Sequence, residues 1–326
     1  MPLLLSESDV RSVLTMPLAL EAVETSMRRL ADGHATMHIR QRLQTPNRSL
    51  LHYMAAADHV SGTMGLKIYT WVGGVLRFLV PLYRAKTGEL LALIEADYLG
   101  RMRTGAASGI ATKYMAREDA HIAAVIGTGG QARTQLEAVA AVRKLSSVRA
   151  YGRDPERRAR FAQECGEQLG LQVESAPSAE DAVREADIVI TATTAAHPVL
   201  HGAWIAPGGH INAIGANFPE KRELDNAAVH RAGIIAVDSR QQAMLESGDL
   251  IQAIGDDAGR WAVVRELSEI IAGGAKGRTD SRQVTLFKSN GIAIWDIAVA
   301  TRVFELAVQR GLGQPLALFD STQPDF

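Results

Sequence analysis

The amino-acid sequence has one cysteine, almost no net charge and no long hydrophobic run, and each shortage excludes a class of protein. Cys165 alone rules out an internal disulfide framework and is typical of a reducing cytosol. The formal net charge is -1, and no basic cluster predicts a nucleic-acid or membrane-surface partner. No apolar run reaches the ~18 residues that cross a bilayer, and no basic region precedes a long apolar core at the N-terminus. We therefore expect a cytoplasmic protein.

Other signals are also missing. The sequence shows no internal repeat, no low-complexity tract and no G-x-S-x-G motif. The nine histidines are scattered, and none are paired at metal-ligand spacing, so we expect no metal site and treat them as ordinary residues. A chain of 326 residues is long enough for two domains.

A glycine-rich turn is the strongest positive signal. The apolar segment Ile122–Ile126 runs into Gly127-Thr-Gly-Gly-Gln-Ala132, and an alanine- and leucine-rich helical segment follows. This order of strand, turn and helix is the setting of a dinucleotide fingerprint, although an ordinary strand–turn–helix is the alternative. Gly127 allows the tight turn, Gly129 lets the backbone approach a pyrophosphate, and Ala132 lets the helix pack closely. The predicted phosphate-binding residues are Gly127, Thr128, Gly129, Gly130, Gln131 and Ala132.

The periodicity of the chain predicts two kinds of domain. Two helices are followed by strands with turns between them up to residue 95, an antiparallel α+β pattern. From residue 121 strands alternate with helices, which predicts a doubly wound parallel sheet of the Rossmann type. A long helix at 291–312 is expected to leave the nucleotide domain and to pack on the N-terminal one. We therefore predict an α/β protein with a Rossmann domain at 120–292, inserted in an α+β domain formed by 1–119 and 293–326.

The end of the second Rossmann strand decides between NAD and NADP. An acidic residue there binds the ribose diol, but here Gly152 stands in its place and Arg153 and Arg157 follow. This pattern favours NADP(H), although dual use of NAD(P)(H) or a solvated helix face would give the same residues. Asp154 is a candidate for the ribose and equally for the helix N-cap. Thr193, after the fourth strand, is included in the predicted cofactor site.

Lys67 is an unusual residue for its position. It lies between Leu66 and Ile68 on a predicted strand, so its side chain shares a face with Tyr69 and not with these apolar neighbours. A lysine on the inner face of a sheet is unfavourable unless it is paired or functional. Lys67 is therefore a candidate for chemistry.

Three arginines complete the cationic candidates. Arg103 lies among the small residues of a predicted helix at 97–117, and Arg40 and Arg42 open the strand region. Surface salt bridges are the alternative for each arginine taken alone.

Short motifs are spread along nearly the whole chain, at 64–67 (MGLK), 86–92 (KTGELLA), 101–108 (RMRTGAAS), 127–132 (GTGGQA), 211–216 (INAIGA), 222–225 (RELD), 237–239 (VDS), 246–249 (ESGD) and 285–293 (TLFKSNGIA). In type and order these motifs resemble those of the ornithine cyclodeaminase/mu-crystallin family. The resemblance implies a homodimer built through an N-terminal substrate domain, with a Rossmann domain inserted after it. Members of the family include cyclodeaminases, archaeal-type alanine dehydrogenases and reductases of imino acids.

The resemblance also implies roles for single residues. Lys67 matches the active-site lysine, and Arg103 matches the arginine that grips the substrate carboxylate. Arg40 matches an earlier substrate arginine, with Arg42 as the competing position. Ser289 and Asn290 lie in a segment that closes over the nicotinamide side of the cofactor.

One position departs from the cyclodeaminases of this family. They carry an aspartate that handles the substrate amine, and here Asn217 replaces it. An amide is neither a base nor an anion, so ornithine cyclisation is disfavoured and imine reduction remains feasible. We expect an NAD(P)H-dependent reductase of an α-imino acid, either a cyclic ketimine such as pyrroline-2-carboxylate or an acyclic one such as iminosuccinate. The alternatives are an ornithine-type cyclodeaminase, an alanine-type dehydrogenase and a non-enzymatic nucleotide-dependent binder.

Overall fold

The computed structural model describes residues 1–318, which fall into two compact units. Unit 1 comprises Met1–Arg103 and the chain from Ile292 onward, and unit 2 comprises Thr104–Gly291. The elements of unit 1 are β1 (Leu3–Leu5), α1 (Glu7–Val13), α2 (Met16–Ala31), β2 (Ala35–Met37), β3 (Gln41–Gln44), β4 (Leu50–Asp58), β5 (Thr63–Val72), β6 (Val75–Arg84), β7 (Leu90–Glu95), α12 (Ala293–Gln309) and β16 (Gln314–Pro315), and helix α3 (Asp97–Met115) begins there and continues into unit 2.

One sheet organises unit 1. Its strands are ordered β16-β1-β7-β6-β5-β4-β2, with β3 also paired to β4, and all pairs are antiparallel except β1 with β7. Helix α12 covers one face, so closely that a Cβ on Gly65 would lie 2.9 Å from Cδ1 of Ile297. Because side chains alternate along a strand, Lys67 and Tyr69 point to this same inner face as Gly65. The alternation of apolar and polar residues in β5 therefore places Lys67 under a buried helix.

Unit 2 contains a parallel sheet ordered β10-β9-β8-β11-β12-β15-β13-β14. Strands β8 and β11 are neighbours although β9 and β10 separate them in the chain. The strand order therefore reverses between β8 and β11, where ligands bind at the carboxyl ends of the strands in such sheets. The elements are β8 (Ile122–Ile126), α4 (Gly130–Val142), β9 (Ser147–Tyr151), α5 (Pro155–Leu169), β10 (Val173–Ser175), α6 (Ala179–Val183), β11 (Ile188–Thr191), β12 (His210–Ala213), α7 (Asn226–Arg231), β13 (Ala232–Val237), α8 (Arg240–Glu246), α9 (Gly248–Ile254), α10 (Ala258–Ala262), β14 (Arg265–Glu266), α11 (Leu267–Ile271) and β15 (Val284–Lys288).

The predicted fold class is confirmed by this mixture of a mainly antiparallel sheet and a parallel doubly wound sheet. The predicted domain boundary after residue 119 stays a prediction, while the compact units divide inside α3, because the second half of this helix packs within unit 2. A Cβ on Gly105 would lie 2.4 Å from the carbonyl oxygen of Thr134 on α4. In addition, Asn212 Nδ2 donates to Thr112 Oγ1 at 2.9 Å. The compact units therefore divide at Arg103, inside the helix.

Two further observations concern the candidates excluded above. Cys165 is buried in α5, and burial raises the pKa of its thiol, as suits a packing residue. Of the helices within residues 1–318, none has both the length and the apolar character to cross a membrane.

Candidate functional site

The centre of the candidate site in unit 1 is a carboxylate shared by two cations. Lys67 Nζ donates to Asp296 Oδ1 at 2.9 Å, and Arg103 Nε donates to the same oxygen at 3.0 Å. All three side chains are buried, with 3%, 4% and 0% of the residue exposed for Lys67, Arg103 and Asp296. They come from β5, α3 and the first turn of α12, so the fold assembles the cluster from distant parts of the chain.

The cluster retains polar atoms that nothing in residues 1–318 satisfies. Nη1 of Arg103 and Oδ2 of Asp296 are buried and have no hydrogen-bond partner within that part of the chain. Buried polar atoms are nearly always paired in folded proteins, because an unmade hydrogen bond costs free energy. These two atoms therefore indicate a place where a polar ligand completes the network.

Lys67 has a strongly altered acidity. Burial, together with the neighbouring charges of Arg103 and Arg40, lowers the pKa of its ammonium to about 8, while Asp296 opposes this shift. An amine with a pKa close to the working pH is suited to giving or taking a proton. Arg40 is itself buried, just before β3, which places its positive charge close to the Lys67 ammonium.

A glycine on α3 makes room for the lysine. A Cβ on Gly100 would lie 2.8 Å from Lys67 Nζ, closer than any normal contact. The absence of a side chain at this turn of the helix therefore lets the ammonium reach its position beside Asp296.

A row of rings extends the site across three strands. His52 on β4 stacks on Tyr69 of β5 with ring centroids 4.4 Å apart, and Tyr69 meets Phe78 of β6 at 5.0 Å. Lys67 Nζ lies 5.0 Å from the centre of the Phe78 ring. Burial lowers the pKa of His52 to about 4, with smaller contributions from Arg40 and from Arg42, which faces His52 on β3. His52 is therefore a neutral imidazole at neutral pH, and it was not anticipated among the scattered histidines.

The glycine turn of unit 2 has the conformation that the sequence predicts. Gly127 has a φ of +114°, and a Cβ there would lie 2.4 Å from the carbonyl oxygen of Ala192, so no other residue fits. Gly129 is the N-cap of α4, and a Cβ at this position would meet nothing within 4 Å. The buried Oε1 of Gln131 has no hydrogen-bond partner in the described residues. Open space at a helix N-terminus suits a phosphate, so these residues fit a dinucleotide.

The end of β9 is shaped by Gly152 and Thr128. A Cβ on Gly152 would lie 2.8 Å from Thr128 Oγ1, so an acidic residue there would displace Thr128. Asp154 caps α5, because its Oδ1 accepts from the backbone N–H groups of Glu156 and Arg157 at 3.0 and 3.1 Å. Arg153 and Arg157 are exposed at this edge. The N-cap role of Asp154 is thus present, and the two arginines remain accessible to a ligand.

A buried glutamate organises the loop after β11. Glu223 Oε1 accepts from the backbone N–H and the hydroxyl of Thr193 at 2.6 and 2.7 Å, and its Oε2 accepts from Gly215 N–H at 2.7 Å. Burial raises the pKa of Glu223, although the charge of Lys288 opposes this effect. Thr193 lies beside Gly127, because a Cβ on Gly127 would lie 3.2 Å from Cγ2 of Thr193. The predicted cofactor residue Thr193 is therefore held next to the glycine turn.

A second carboxylate holds the segment after β15. Asp238 Oδ2 accepts from the hydroxyl of Ser289 at 3.1 Å and from the backbone N–H groups of Asn290 and Gly291. Gly291 has a φ of +83°, so the chain turns sharply at this point. Of the predicted residues, Ser289 is therefore held through its hydroxyl and Asn290 through its backbone N–H.

Sequence reasoning named Lys67 and Arg103, and the structure brings them together with Arg40. It missed Asp296, which no motif contains. The signal was an acidic residue in the otherwise apolar stretch Ile294-Trp-Asp-Ile-Ala298, since a charge inside a buried helix needs partners.

Three solved structures resemble the whole chain. A delta(1)-pyrroline-2-carboxylate reductase of Thermococcus litoralis, in complex with NADH and L-proline, is 37% identical with a TM-score of 0.92, over 96% of this chain and 100% of that one. An archaeal alanine dehydrogenase dimer with bound NAD is 35% identical with a TM-score of 0.91, over 98% and 99%. The iminosuccinate reductase of Paracoccus denitrificans in complex with NAD+ is 29% identical with a TM-score of 0.90, over 96% and 98%.

A family model gives the same answer from sequence alone. The model of the ornithine cyclodeaminase/mu-crystallin family matches residues 1–311, which confirms the resemblance inferred from the motifs. The chain belongs to the ornithine cyclodeaminase/mu-crystallin family.

Proposed function

We propose that the protein is an NAD(P)H-dependent reductase that converts an α-imino acid to the L-amino acid. The observation that carries this proposal is the pair of buried cations, Lys67 and Arg103, joined by Asp296 and retaining unpaired polar atoms. Two relatives that align with this chain over more than nine-tenths of each length are a delta(1)-pyrroline-2-carboxylate reductase and an iminosuccinate reductase. Retention of a titratable lysine supports catalysis over ligand storage.

The substrate carboxylate binds to the positive charges of Arg103 and Arg40. Asp296 accepts from Nε of Arg103, and the buried Nη1 has no partner within residues 1–318, so Nη1 is a donor available to the carboxylate. A charge-assisted hydrogen bond of this kind fixes the orientation of the imino acid. Arg42 is the alternative to Arg40, and its position opposite His52 suits a more distant group of the substrate.

Lys67 supplies the proton. Its ammonium donates one proton to the imine nitrogen, so an N–H bond of Lys67 breaks as an N–H bond of the product forms. A reduced nicotinamide, when bound, supplies the hydride for the imine carbon. The neutral amine of Lys67 then regains a proton from solvent, and Asp296 stabilises the ammonium that results. Oxidation of the amino acid uses the same residues in reverse, with Lys67 as base.

The ring row favours a cyclic substrate. His52, Tyr69 and Phe78 present flat rings that reach Lys67, and flat apolar surfaces suit the ring of a cyclic ketimine. Iminosuccinate is the second candidate, because Arg40 and Arg42 both act on His52 and offer charge for a second carboxylate.

The cofactor is a nicotinamide dinucleotide held by unit 2. Gly127, Gly129 and the N-terminus of α4 receive its phosphates, and Thr193, Ser289 and Asn290 lie at the ends of the strands on the nicotinamide side. Gly152 with Arg153 and Arg157 supports a preference for NADP(H), since no acidic side chain stands there to repel a 2′-phosphate.

The preference for NADP(H) is tested by Arg153→Ala. We expect the variant to bind NADPH several-fold more weakly in fluorescence titrations while NADH binding stays constant, because an exposed arginine on a 2′-phosphate is worth about 1 kcal/mol. Glu156→Ala, on the same exposed turn, is the matched control. Strong preference for NADH in the unmodified protein, left unchanged by the substitution, contradicts the proposal.

The protein also forms a homodimer through unit 1. The face of its sheet opposite α12 exposes Leu43, Tyr53 and Leu79, with 54%, 43% and 39% of each residue accessible. Register places these three residues, on β3, β4 and β6, on one face of the sheet, and an apolar face of this kind suits a second copy. The archaeal relative is a dimer. We keep the cytoplasm as the proposed location.

A panel of imino acids tests the proposed function. Purified protein is mixed with NADH or NADPH and pyrroline-2-carboxylate, piperideine-2-carboxylate, oxaloacetate with ammonia, or pyruvate with amines, and loss of reduced nicotinamide is followed. We expect turnover with at least one of these and little cyclisation of ornithine, because Asn217 offers no carboxylate for the substrate amine. Inactivity across the panel, or conversion of ornithine to proline as fast as any reduction, overturns it.

A further inference from the structure

The geometry around Asp296 assigns it a role in the reaction. We propose that Asp296 is a positioning residue, whose Oδ1 fixes the Lys67 ammonium and the Arg103 guanidinium relative to each other. The proposal rests on the proposed function, since it gives the proton donor and the carboxylate ligand of that reaction a common anchor.

Both cations donate to the same oxygen of Asp296. Its Oδ1 accepts from Lys67 Nζ at 2.9 Å and from Arg103 Nε at 3.0 Å. The two donors therefore both lie within hydrogen-bond distance of one oxygen, so neither side chain can rotate without breaking its bond to Asp296. Precise placement of this kind is what brings a bound substrate into reactive alignment.

The bridge between Asp296 and Arg103 leaves one polar atom of each side chain without a hydrogen bond in the described residues. A bridge made only for stability would use both carboxylate oxygens and both edges of the guanidinium. Here Oδ2 of Asp296 and Nη1 of Arg103 are buried without hydrogen-bond partners in residues 1–318. These two atoms are therefore left for hydrogen bonds with a bound ligand.

Asp296 also balances the positive charge around Lys67. Lys67 is approached by Arg103 from α3 and by Arg40 from the start of β3, and Asp296 on α12 is the anion that opposes both. Without this carboxylate, three buried cations would lie together with no anion, and the ammonium would give up its proton. Asp296 thereby keeps Lys67 protonated in the neutral pH range, where a proton donor is needed.

The test uses Asp296→Asn, which keeps the shape and removes the charge. We expect kcat at neutral pH to fall on the order of 10-fold or more, as for other lost electrostatic groups. The alkaline limit of the rate should move to lower pH, because Lys67 then deprotonates earlier. Asp296→Glu restores the charge and should restore the alkaline limit, which also covers the case in which Asp296→Asn folds poorly.

A readout independent of turnover separates this inference from the proposed function. The 13Cε resonance of Lys67, assigned with Lys67→Arg in uniformly lysine-labelled protein, reports its titration directly. We expect it to titrate at about 8 in the unmodified protein and lower in Asp296→Asn. If the shift occurs while no imino acid is reduced, the positioning of Lys67 stands and the proposed reaction fails.

Asp58→Asn is the matched control. Asp58 is another buried carboxylate of unit 1, paired with Arg29 and bonded to the backbone N–H of Val60 at 3.0 Å, and it has no bond to Lys67 or Arg103 in the described residues. We expect it to lower the melting temperature without moving the Lys67 titration. An unchanged Lys67 titration in Asp296→Asn, or an equal change in Asp58→Asn, overturns the proposal.

Discussion

At the scale of single residues, the role proposed for Lys67 as proton donor predicts how the reaction depends on pH. Its ammonium has a pKa of about 8, so the proton donor is present below that pH and is lost as the pH rises through it. We expect kcat/KM for imine reduction to fall above about pH 8. Oxidation of the amino acid needs the neutral amine and should therefore rise over the same interval. Initial rates in both directions across this pH range check the prediction.

Lys67→Arg provides the control for the pH profile. Arginine keeps a positive charge but does not lose its proton in this range, so any residual rate should show no limb near pH 8. A reduction rate that stays constant past pH 9 in the unmodified protein, about one unit above the expected limb, would show that Lys67 is not the donor.

Gly100 offers a second prediction at this scale. Alanine is a better helix former than glycine by roughly 1 kcal/mol, so Gly100→Ala should leave α3 as stable or more stable. The new Cβ would nevertheless stand 2.8 Å from Lys67 Nζ and push the ammonium away from Asp296. We expect kcat to fall about 10-fold while the melting temperature does not. Steady-state kinetics and thermal unfolding measure the two effects separately.

Gly259→Ala is the comparison for Gly100→Ala. Gly259 is an exposed glycine in α10 of unit 2, where a Cβ meets only the Asp257 side chain at 3.3 Å. It should leave the kinetics unchanged. A Gly100→Ala enzyme with full activity would mean that Lys67 is able to act from a displaced position.

The same residues show how far the sequence carries the site. Lys67 is predictable only as a candidate, because alternation places it on the face opposite to Leu66 and Ile68 but does not say which face is the inner one. Arg103 is predictable only with the family motif, since an arginine in a helix of small residues has many ordinary uses. The bond from Lys67 to Asp296 spans 229 positions, and no local pattern reports a contact of that range. Buried charges find their partners through the tertiary fold, which a single sequence does not display.

At the scale of elements, the turn between β8 and α4 separates two kinds of glycine. Gly127→Ala requires a φ of +114° from an alanine and places its Cβ 2.4 Å from a backbone oxygen of Ala192. We expect it to destabilise unit 2 by about 3 kcal/mol, the upper range for backbone strain, and to lower the melting temperature by several degrees. Thermal unfolding of the ligand-free protein measures this loss.

Gly129→Ala is the matched variant in the same turn. Its Cβ meets nothing within 4 Å, and its φ of -88° is ordinary for any residue. We expect unchanged stability but about 10-fold weaker binding of NADH, equivalent to about 1.4 kcal/mol, because the methyl group enters the space for the phosphates. Equal loss of stability in both variants would argue that the turn has only a structural role.

Elements were predicted best where periodicity and turn residues agree. Periodicity predicts strands at Gln41–Gln44, Leu90–Glu95, Ile122–Ile126 and Ile188–Thr191 and a helix at Pro155–Leu169, and the bounds of β3, β7, β8, β11 and α5 match these residue for residue. It does not predict β15, although this strand lies between β12 and β13, because only short helices precede β15 and the alternation of strand and helix fades there. Strands β1, β2, β14 and β16 span two or three residues each, too few to show a period.

At the scale of the whole molecule, the exposed sheet face predicts assembly. We expect a dimer by light scattering at micromolar concentration, and we expect Leu79→Asp to shift it to monomers, because a charge buried against an apolar partner is unfavourable. Val263→Asp, at a more exposed apolar residue of unit 2, should leave the dimer intact. A monomeric unmodified protein, or a dimer unaffected by Leu79→Asp, contradicts the proposed interface.

The return of α12 to unit 1 has a consequence for how the protein is made. Unit 2 is one continuous stretch, so all of its strands emerge from the ribosome before α12 does. Residues 1–103 are synthesised first but wait through 188 further residues, since Lys67 and Arg103 meet their anion only at position 296. Domains usually complete in order from the N-terminus, and we expect this order to be reversed here. A nascent chain that stops before α12 is expected to carry a folded unit 2 and an unfinished sheet of unit 1, and we expect chaperones to bind that sheet.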